Sequence, residues 1–404
     1  MPDRIADSLV LVFTFGMSLK AWHDTGMLER ELELYRKLLG SYGRVVLVTY
    51  GADQECEVLR ESLPEEERGR FALVCNREQA GLKAYVDSLP QRVVDAVAGD
   101  ARVMVKTNQM AGGEAAVAIV EALRRAGKHA ALMARGGYLW SRFVTHEHGP
   151  HSEEAEEVAL RERELCRAAD MVVGTTQDMV DDLAWRYGLD PSRTRVIPNF
   201  VLAEAGEANP VEREPGTILY AGQLVGRKRV DVLIEAMTRL PDDVKETARL
   251  EIVGDGPARA TLRERAAQLG ARVTFAHRLP HRELLQRMAR CTIYAQASDL
   301  EGHPKTVIEA MSTGACVVVA DSPGLGVVVE HGASGLRVSP DPDAFARAFA
   351  ELLRDGDWRE MLGSGAARST RKKFALDNIL PLEIEAHARA MDLGAKAPGL
   401  RAVG

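Results

Sequence analysis

The chain is poor in cysteine, and its cysteines are scattered. Cys56, Cys75, Cys166, Cys291 and Cys316 are five in 404 residues, an odd number with no Cys-x-x-Cys among them. That argues against a disulfide frame and a zinc ribbon, and predicts a reduced, cytoplasmic protein. Long apolar runs are also lacking. Ser8 to Phe15 is apolar but far too short to span a bilayer. No basic stretch followed by an apolar core and a small-residue cleavage site opens the chain, so no secretory leader is expected. Any membrane contact is expected to be peripheral, at the inner face. Positive charge is not in excess: the net charge is −7 and the pI about 5.9. This argues against nucleic acid as the main partner, while leaving a phosphorylated substrate open. Neither an internal repeat nor a low-complexity tract is present.

What remains is ordinary globular material, 46% hydrophobic and 27% charged, long enough for two or three domains. Short β-branched runs recur along it. Leu9 to Phe15, Arg44 to Tyr50, Phe71 to Cys75, Arg102 to Thr107, Lys128 to Met133, Ala169 to Gly174 and Arg195 to Ile197 read as strands. Helical patterns lie between them, as in Met27 to Leu39, where Leu28, Leu32, Tyr35, Leu38 and Leu39 share a face. Alternation of this kind predicts an α/β chain with parallel sheets. The loops after these strands carry Gly16, Ser18, Lys20, Asn108, Gln109, Arg135 and Tyr138. Such strand ends are where an open parallel sheet takes ligands.

A Pro-, Glu- and Ala-rich connector over 201–216 divides the chain. The βα series then restarts at Thr217 to Ala221. A glycine-bearing basic loop follows, Gly222-Gln223-Leu224-Val225-Gly226-Arg227-Lys228-Arg229, which suits a phosphate. Leu250 to Gly254, Val273 to Ala276, Cys291 to Ala297 and Ala315 to Asp321 read as further strands. The segment after Ala297 is the most informative in the chain. Ser298-Asp299-Leu300-Glu301-Gly302-His303-Pro304-Lys305-Thr306 turns into a helix with Val307, Ile308, Ala310 and Met311 on its apolar face and Gly314 as its stop. Pro304 suits the first helical position. The first-turn amides of His303, Lys305 and Thr306 would face an anion, with the helix dipole in support. Glu301 stands just before this helix and Glu309 well inside it, seven residues lying between them.

Glu301, the Glu-Gly-x-Pro opening and Glu309, set between a buried strand and a glycine-stopped helix, resemble the E-x7-E signature of retaining GT-B glycosyltransferases, above all glycosyltransferase family 4. The resemblance is strong from about Thr217 to Leu353 and looser before that. It implies two Rossmann-like, doubly wound parallel-sheet domains facing a cleft: residues 1–200 on the acceptor side, a linker at 201–216, and residues 217–375 on the nucleotide-sugar side. Residues 376–404 would be a helix crossing back to the first domain, followed by a frayed tail. The implied reaction moves a hexosyl-type sugar from a UDP- or GDP-sugar to an acceptor hydroxyl, with retention, no metal and no cofactor beyond the nucleotide-sugar co-substrate. Lys228 matches the family's diphosphate-binding lysine and would act in catalysis with Glu301. Gly222, Gln223, Arg278, His303, Lys305, Thr306 and Glu309 would bind the donor, Glu309 through the ribose hydroxyls. Gly16, Ser18, Asn108, Gln109 and Arg135 would line the first domain's side of the cleft. The acceptor is left open among saccharide, lipid-linked and small-molecule hydroxyls.

Three positions depart from the family pattern. Gln223 stands where an arginine is usual, leaving Arg227 or Arg229 to supply a second cation. Arg135 stands where a histidine is usual, and Ala276 and His277 follow Phe275 where a glycine is usual. Two other readings share the fold. One is a nucleotide-sugar epimerase or hydrolase, or a pyridoxal-phosphate phosphorylase, for which no Schiff-base lysine is evident. The other is a non-catalytic nucleotide-sugar-binding subunit. Three further patterns are read as structural. His146, His148 and His151 have metal-like spacing but lie around a Gly-Pro loop with no second ligand group. Gly254-x-Gly256 lacks the third glycine of a dinucleotide loop and reads as a strand–helix turn. Asp341-Pro342-Asp343 opens the helix Ala344 to Leu353 and reads as its cap.

Overall fold

The computed structural model describes residues 4–202 and 212–395. The chain divides into two compact units, one running to Pro198 and resuming at Ile379, the other Asn199–Asn378. Each is built around one parallel sheet with helices between its strands.

The first unit's strands are β1 (Ala6–Val12), β2 (Tyr42–Val48), β3 (Phe71–Val74), β4 (Arg102–Thr107), β5 (His129–Gly136), β6 (Met171–Gly174) and β7 (Thr194–Val196). Among the described residues they form a sheet in the order β3-β2-β1-β4-β5-β6-β7, every pair parallel. The second unit's are β8 (Glu214–Ala221), β9 (Arg249–Val253), β10 (Val273–Ala276), β11 (Cys291–Gln296), β12 (Cys316–Ala320) and β13 (Leu336–Val338), in the order β10-β9-β8-β11-β12-β13, again all parallel. Both units are Rossmann-like. The order reverses between β1 and β4 in the first, and between β8 and β11 in the second.

The central strands are covered on both faces, which is why they read as unbroken apolar runs. Leu9 to Val12 and Val317 to Val319 are fully buried. Parallel pairing also moves several strand limits. The apolar run suggested Leu9 to Phe15, yet β1 begins at Ala6, which pairs with Tyr42, and ends at Val12. The less apolar start is held by side chains instead. The Asp7 carboxylate accepts from the amides of Ala101 and Arg102, and Ser8 Oγ lies 2.5 Å from Asp100. Phe15, at the run's other end, is about half exposed. β8 likewise begins at Glu214, inside the expected connector; residues 203–211 of that connector lie outside the described residues. β13 went unread because three residues between Gly335 and Ser339 carry no usable periodicity.

The final helix, Leu376–Ala395, runs past the expected Met391, and the unit boundary falls within it. From Ile379 onward it belongs to the first unit, where the Glu383 and His387 side chains are fully buried. The tail expected to fray lies, from residue 396, outside the described residues. Among those described, no helix is long and apolar enough to cross a membrane.

Candidate active site

The reversal of strand order in the second unit explains how Lys228 and Glu301 meet. β8 and β11 are hydrogen-bonded neighbours whose crossovers leave to opposite sides, so the loops at their carboxyl ends open a crevice. Lys228 lies on the first loop and Glu301 on the second.

The loop after β8 is shaped by glycines. Gly222 donates its amide to Val253 O at 3.0 Å, and Leu224 donates to Asp255 O at 3.0 Å. Gly254 has φ +151°, and a Cβ there would come within 1.9 Å of Gly222 O. The Gly254-x-Gly256 turn is thus a packing device that lets two loops interlock. Gly226–Lys228 then forms a single 3-10 turn, with Arg229 left-handed at φ +46°. Gln223 is exposed, and its carbonyl accepts from Tyr220 OH at 2.9 Å.

This turn is tied to the loop after β11. Asp299 donates its amide to Arg227 O at 2.9 Å, and Arg229 Nη1 reaches Asp299 Oδ1 at 3.2 Å. Lys228 Nζ forms an ion pair with Glu301 Oε1, and Arg227 Nη1 lies 3.6 Å from Glu301 Oε2. Of the two arginines that could supply a second cation, it is therefore Arg227 that joins the carboxylate, while Arg229 turns to Asp299 and Asp231. The Glu301 backbone is braced from behind: its amide donates to Pro323 O at 3.0 Å, and Gly324 packs against its carbonyl.

Both members of the pair are nearly withdrawn from water, with side chains 12% and 7% exposed. Burial works against each charge. For Glu301 it would raise the pKa, but the Lys228 charge, hydrogen bonds from Lys228 and Ser298, and the Arg227 charge prevail, so the carboxyl titrates below its usual range. For Lys228 burial prevails, helped by the like charge of Arg227, and the ammonium sits below its ordinary value despite Glu301.

The adjoining helix runs Lys305–Ser312, one residue later than expected, with Pro304 preceding it. A proline offers no capping side chain, so nothing on that residue competes for the first-turn amides. The His303 ring packs edge-on to Phe374 at 5.0 Å, and its carbonyl accepts from Asn199 Nδ2 at 2.8 Å. Glu309 is buried, with His281 Nε2 3.0 Å from its Oε1. Arg278 is exposed, its amide donating to Asp255 Oδ2 at 3.0 Å. The structure thus gathers Lys228, Glu301 and Arg227 tightly, and gives Glu309 a histidine partner.

Several residues in this site went unread in the sequence. Gln296, at the end of β11, donates to Glu301 Oε1 at 2.6 Å. Ser298, His281, Asn199 and Gly324 also touch the site residues. An amide inside the buried CTIYAQA run was the available signal for Gln296.

In the first unit, loops gather at the β1–β4 reversal. Asn108 Nδ2 lies 3.3 Å from Thr14 Oγ1, and Gln109 Oε1 accepts from the Gly137 amide at 2.7 Å. Gly16 has φ +76°, and Ser18 caps the helix Leu19–Asp24 by accepting from Ala21 N at 2.9 Å. Lys20 pairs with Asp24 at the surface. Arg135 corrects an expectation: it lies within β5, not in the loop after it. Its guanidinium is 3.5 Å from Glu383 in a buried charge cluster, because the strand runs three residues beyond Met133. His146 and His148 sit on the helix Trp140–His148, two positions apart and so on different faces. Among the described residues, no group of three His, Cys, Asp or Glu could hold a metal.

Comparison with known proteins agrees with this architecture. The family model described as Glycosyl transferases group 1 matches residues 204–369, and that described as Glycosyltransferase Family 4 matches residues 121–204. A D-inositol 3-phosphate glycosyltransferase from Corynebacterium efficiens is 32% identical over 238 residues, covering 54% of this chain and 56% of that protein. One of the same description from Nocardioides sp. is 29% identical over 260 residues, covering 57% and 56%. The chain therefore spans about half the length of the curated relatives it matches. Among solved structures, Anabaena Alr3699/HepE in complex with UDP and glucose superposes with a TM-score of 0.72 at 18% identity, covering 94% of this chain and 98% of that one. Sucrose-phosphate synthase from Thermosynechococcus elongatus superposes with a TM-score of 0.72 at 19% identity, covering 96% and 99%. At those identities the two structures speak to the fold. With both family models matched in sequence order and two Rossmann-like units in place, the chain belongs to the GT-B glycosyltransferases of the family 4 type.

Proposed function

We propose that the protein transfers a hexosyl-type sugar from a UDP- or GDP-sugar to an acceptor hydroxyl, with retention of anomeric configuration. The observation that carries this reading is the buried Lys228–Glu301 pair beside the helix that bears Glu309, at the point where strand order reverses. In this reading the bond from the anomeric carbon to the diphosphate breaks as a bond to the acceptor oxygen forms. The departing diphosphate gathers negative charge, which Lys228, Arg227 and the helix amides at Lys305 and Thr306 stabilise. Arg227 thereby covers for the arginine absent at 223. Glu301 accepts from the sugar hydroxyls and favours the positive charge developing at the anomeric carbon. Glu309, oriented by His281, accepts from the ribose hydroxyls. Gly222 and Gln223 lie along the diphosphate and Arg278 near the base. The acceptor attacks on the face the diphosphate leaves and passes its proton to a phosphate oxygen. The loops of Gly16, Ser18, Asn108 and Gln109 serve the acceptor. Protein cations supply the needed charge, so turnover should survive EDTA.

The names of the curated relatives make D-inositol 3-phosphate the first acceptor to try, ahead of saccharides and lipid-linked hydroxyls. A thermal-shift panel of UDP-, GDP- and ADP-sugars comes first, since a ligand that binds only the native state raises the melting temperature. Turnover with and without acceptor follows, with the product anomer read by NMR. Glu301→Gln and Lys228→Met, shown folded by circular dichroism, should each lose about 10²-fold or more in kcat. The reading fails if no sugar nucleotide shifts the melting temperature, or if both variants turn over at the wild-type rate. Donor consumption that no acceptor accelerates would indicate a hydrolase or epimerase instead.

A further inference from the structure

Gln296 is the last residue of β11 and is 1% exposed. A buried carboxamide must use its donors and acceptors within the protein. This one has partners at both ends, although the single Tyr294 proton is shared with Ala221 O at 3.1 Å. Its Nε2 lies 2.6 Å from Glu301 Oε1 and 3.2 Å from Ser298 Oγ. Its Oε1 lies 3.2 Å from Tyr294 OH and 3.3 Å from Thr306 Oγ1. The orientation of the amide is not free. A carboxylate accepts only, so the nitrogen must face Glu301, and the carbonyl oxygen is then left for the two hydroxyls.

The consequence is mechanical. Glu301 precedes the helix Lys305–Ser312 through a short Gly-Pro loop, and such a loop does not by itself hold a carboxylate at one angle. Gln296 stands on a rigid central strand, grips the carboxylate with one end of its amide and the helix's first turn with the other. Thr306 lies three residues before Glu309, on the same helix face. One side chain therefore links the Glu301 carboxylate to the helix that carries Glu309. Tyr294, on β11, and Ser298, two residues beyond its end, lie against the amide's oxygen and nitrogen respectively.

We propose that Gln296 is a positioning residue that orients the Glu301 carboxylate and locks it to the first turn of the Glu309 helix. The inference deepens the transferase reading and rests on it for its kinetic arm alone. Its effect runs through Glu301, since both ends of the buried amide lie against protein groups. Lys228 and Gln296 share Oε1, so losing the amide removes one of that oxygen's partners and lets the carboxylate rotate toward the lysine. A hydrogen bond to an ionised carboxylate also favours the ionised form, and its loss moves the titration of Glu301 to higher pH.

The test compares wild type with Gln296→Met, which keeps length and removes the hydrogen bonds, and Gln296→Glu, which keeps shape and sets a second carboxyl against Glu301. For the methionine variant kcat should fall about 10- to 100-fold, the range carried by a hydrogen bond to a charged group, with little change in donor KM. The acid limb of its pH–rate profile should move to higher pH, and the glutamate variant's further still. Independently of turnover, the carbon resonance of the Glu301 carboxyl in glutamate-labelled protein, assigned with Glu301→Gln, should titrate at higher pH in both variants. An unchanged acid limb and unchanged Glu301 titration, with only a lowered melting temperature, would make Gln296 a packing residue and overturn the proposal. A wild-type protein that transfers no sugar would sink the transferase reading instead, and the carboxyl titration would still decide the role of Gln296. If the methionine variant does not fold, the isosteric glutamate variant carries both arms.

Discussion

A carboxylate as enclosed as Glu301 stays ionised only because charge and hydrogen bonds surround it. The Lys228 charge and hydrogen bond, a hydrogen bond from Ser298 and the Arg227 charge hold the carboxyl below its usual range, and Gln296 Nε2 donates to the same group at 2.6 Å. The sign for activity follows. A depressed carboxyl remains charged until the pH falls through that lowered value, so turnover that needs ionised Glu301 should persist below pH 4.3, about where an ordinary glutamate is half-protonated. A kcat/KM profile checks this, and an acid limb at or above that value would contradict it. Gly324 is a second lever at this scale. Its φ is +86°, and a Cβ there would lie 2.2 Å from Glu301 O. Gly324→Ala should cost about 1–3 kcal/mol in strain and displace the Glu301 backbone. Denaturant melts should show the loss, and kcat should fall with it; retention of both would mean the bracing is dispensable. Lys228 and Glu301 stood out in the sequence because each lies in a loop of glycine and charge that resembles a family motif. Gln296 did not, because one amide in a buried strand gives no sign of which carboxylate it serves.

Between elements, the second unit depends on one side chain that local patterns could not reveal. The Arg213 guanidinium donates to Ala289 O at 2.8 Å, Cys291 O at 3.2 Å and Gly314 O at 2.7 Å. These carbonyls lie at or just beyond the ends of the helices His281–Arg290 and Lys305–Ser312. Carbonyls at a helix end lack internal partners and sit at the negative end of the dipole, so a forked cation suits them. Arg213→Ala should destabilise the protein by about 1–3 kcal/mol. Arg213→Lys should restore only part, since an ammonium cannot fork to two helix ends. Chemical denaturation of the three proteins checks this, and full rescue by lysine would reduce the contact to simple charge. The elements themselves were largely legible, since a buried strand or amphipathic helix follows from side-chain period. The start of β8 was not, for Glu214 and Pro215 look like connector and become strand through the partners beside them.

For the molecule as a whole, the decisive buried charges lie in the first unit. Glu383 and His387, on the final helix, are fully buried with Lys106 Nζ at 2.7 Å and the Arg135 guanidinium at 3.5 Å from Glu383. Tyr42 OH is 2.8 Å from His387 Nδ1, and Lys106 lies over the Tyr35 ring at 5.6 Å. Burial would raise Glu383, but the Lys106 charge, the His387 hydrogen bond and Arg135 hold it well below the usual range. Burial lowers His387. Both folded values are depressed, so the unfolded chain binds more protons across this interval and stability rises with pH there. The contributions are complete above the unfolded values, about 6.5 for histidine and about 4.3 for glutamate, and are lost as the pH falls below them. Unfolding free energy should therefore decline from pH 7 toward pH 4. Glu383→Gln should cost about 3–5 kcal/mol at neutral pH by leaving Lys106 buried without its counter-charge, and should flatten the most acidic part of that decline. Denaturant titrations across this range check both, and an unaltered slope would remove Glu383 from the account.

By itself the sequence determined the alternation of strands and helices, the two parallel-sheet domains, and the loop–helix segment that carries Glu301 and Glu309. These depend on side-chain period and turn chemistry, which act over a few residues. Only the tertiary structure decided that Lys228 faces Glu301, that Gln296 grips the same carboxylate, that Arg213 closes two helices, and that Arg135 turns to Glu383. Such partners stand far apart in the chain, and strand order, with the side on which each crossover packs, selects which distant loops become neighbours.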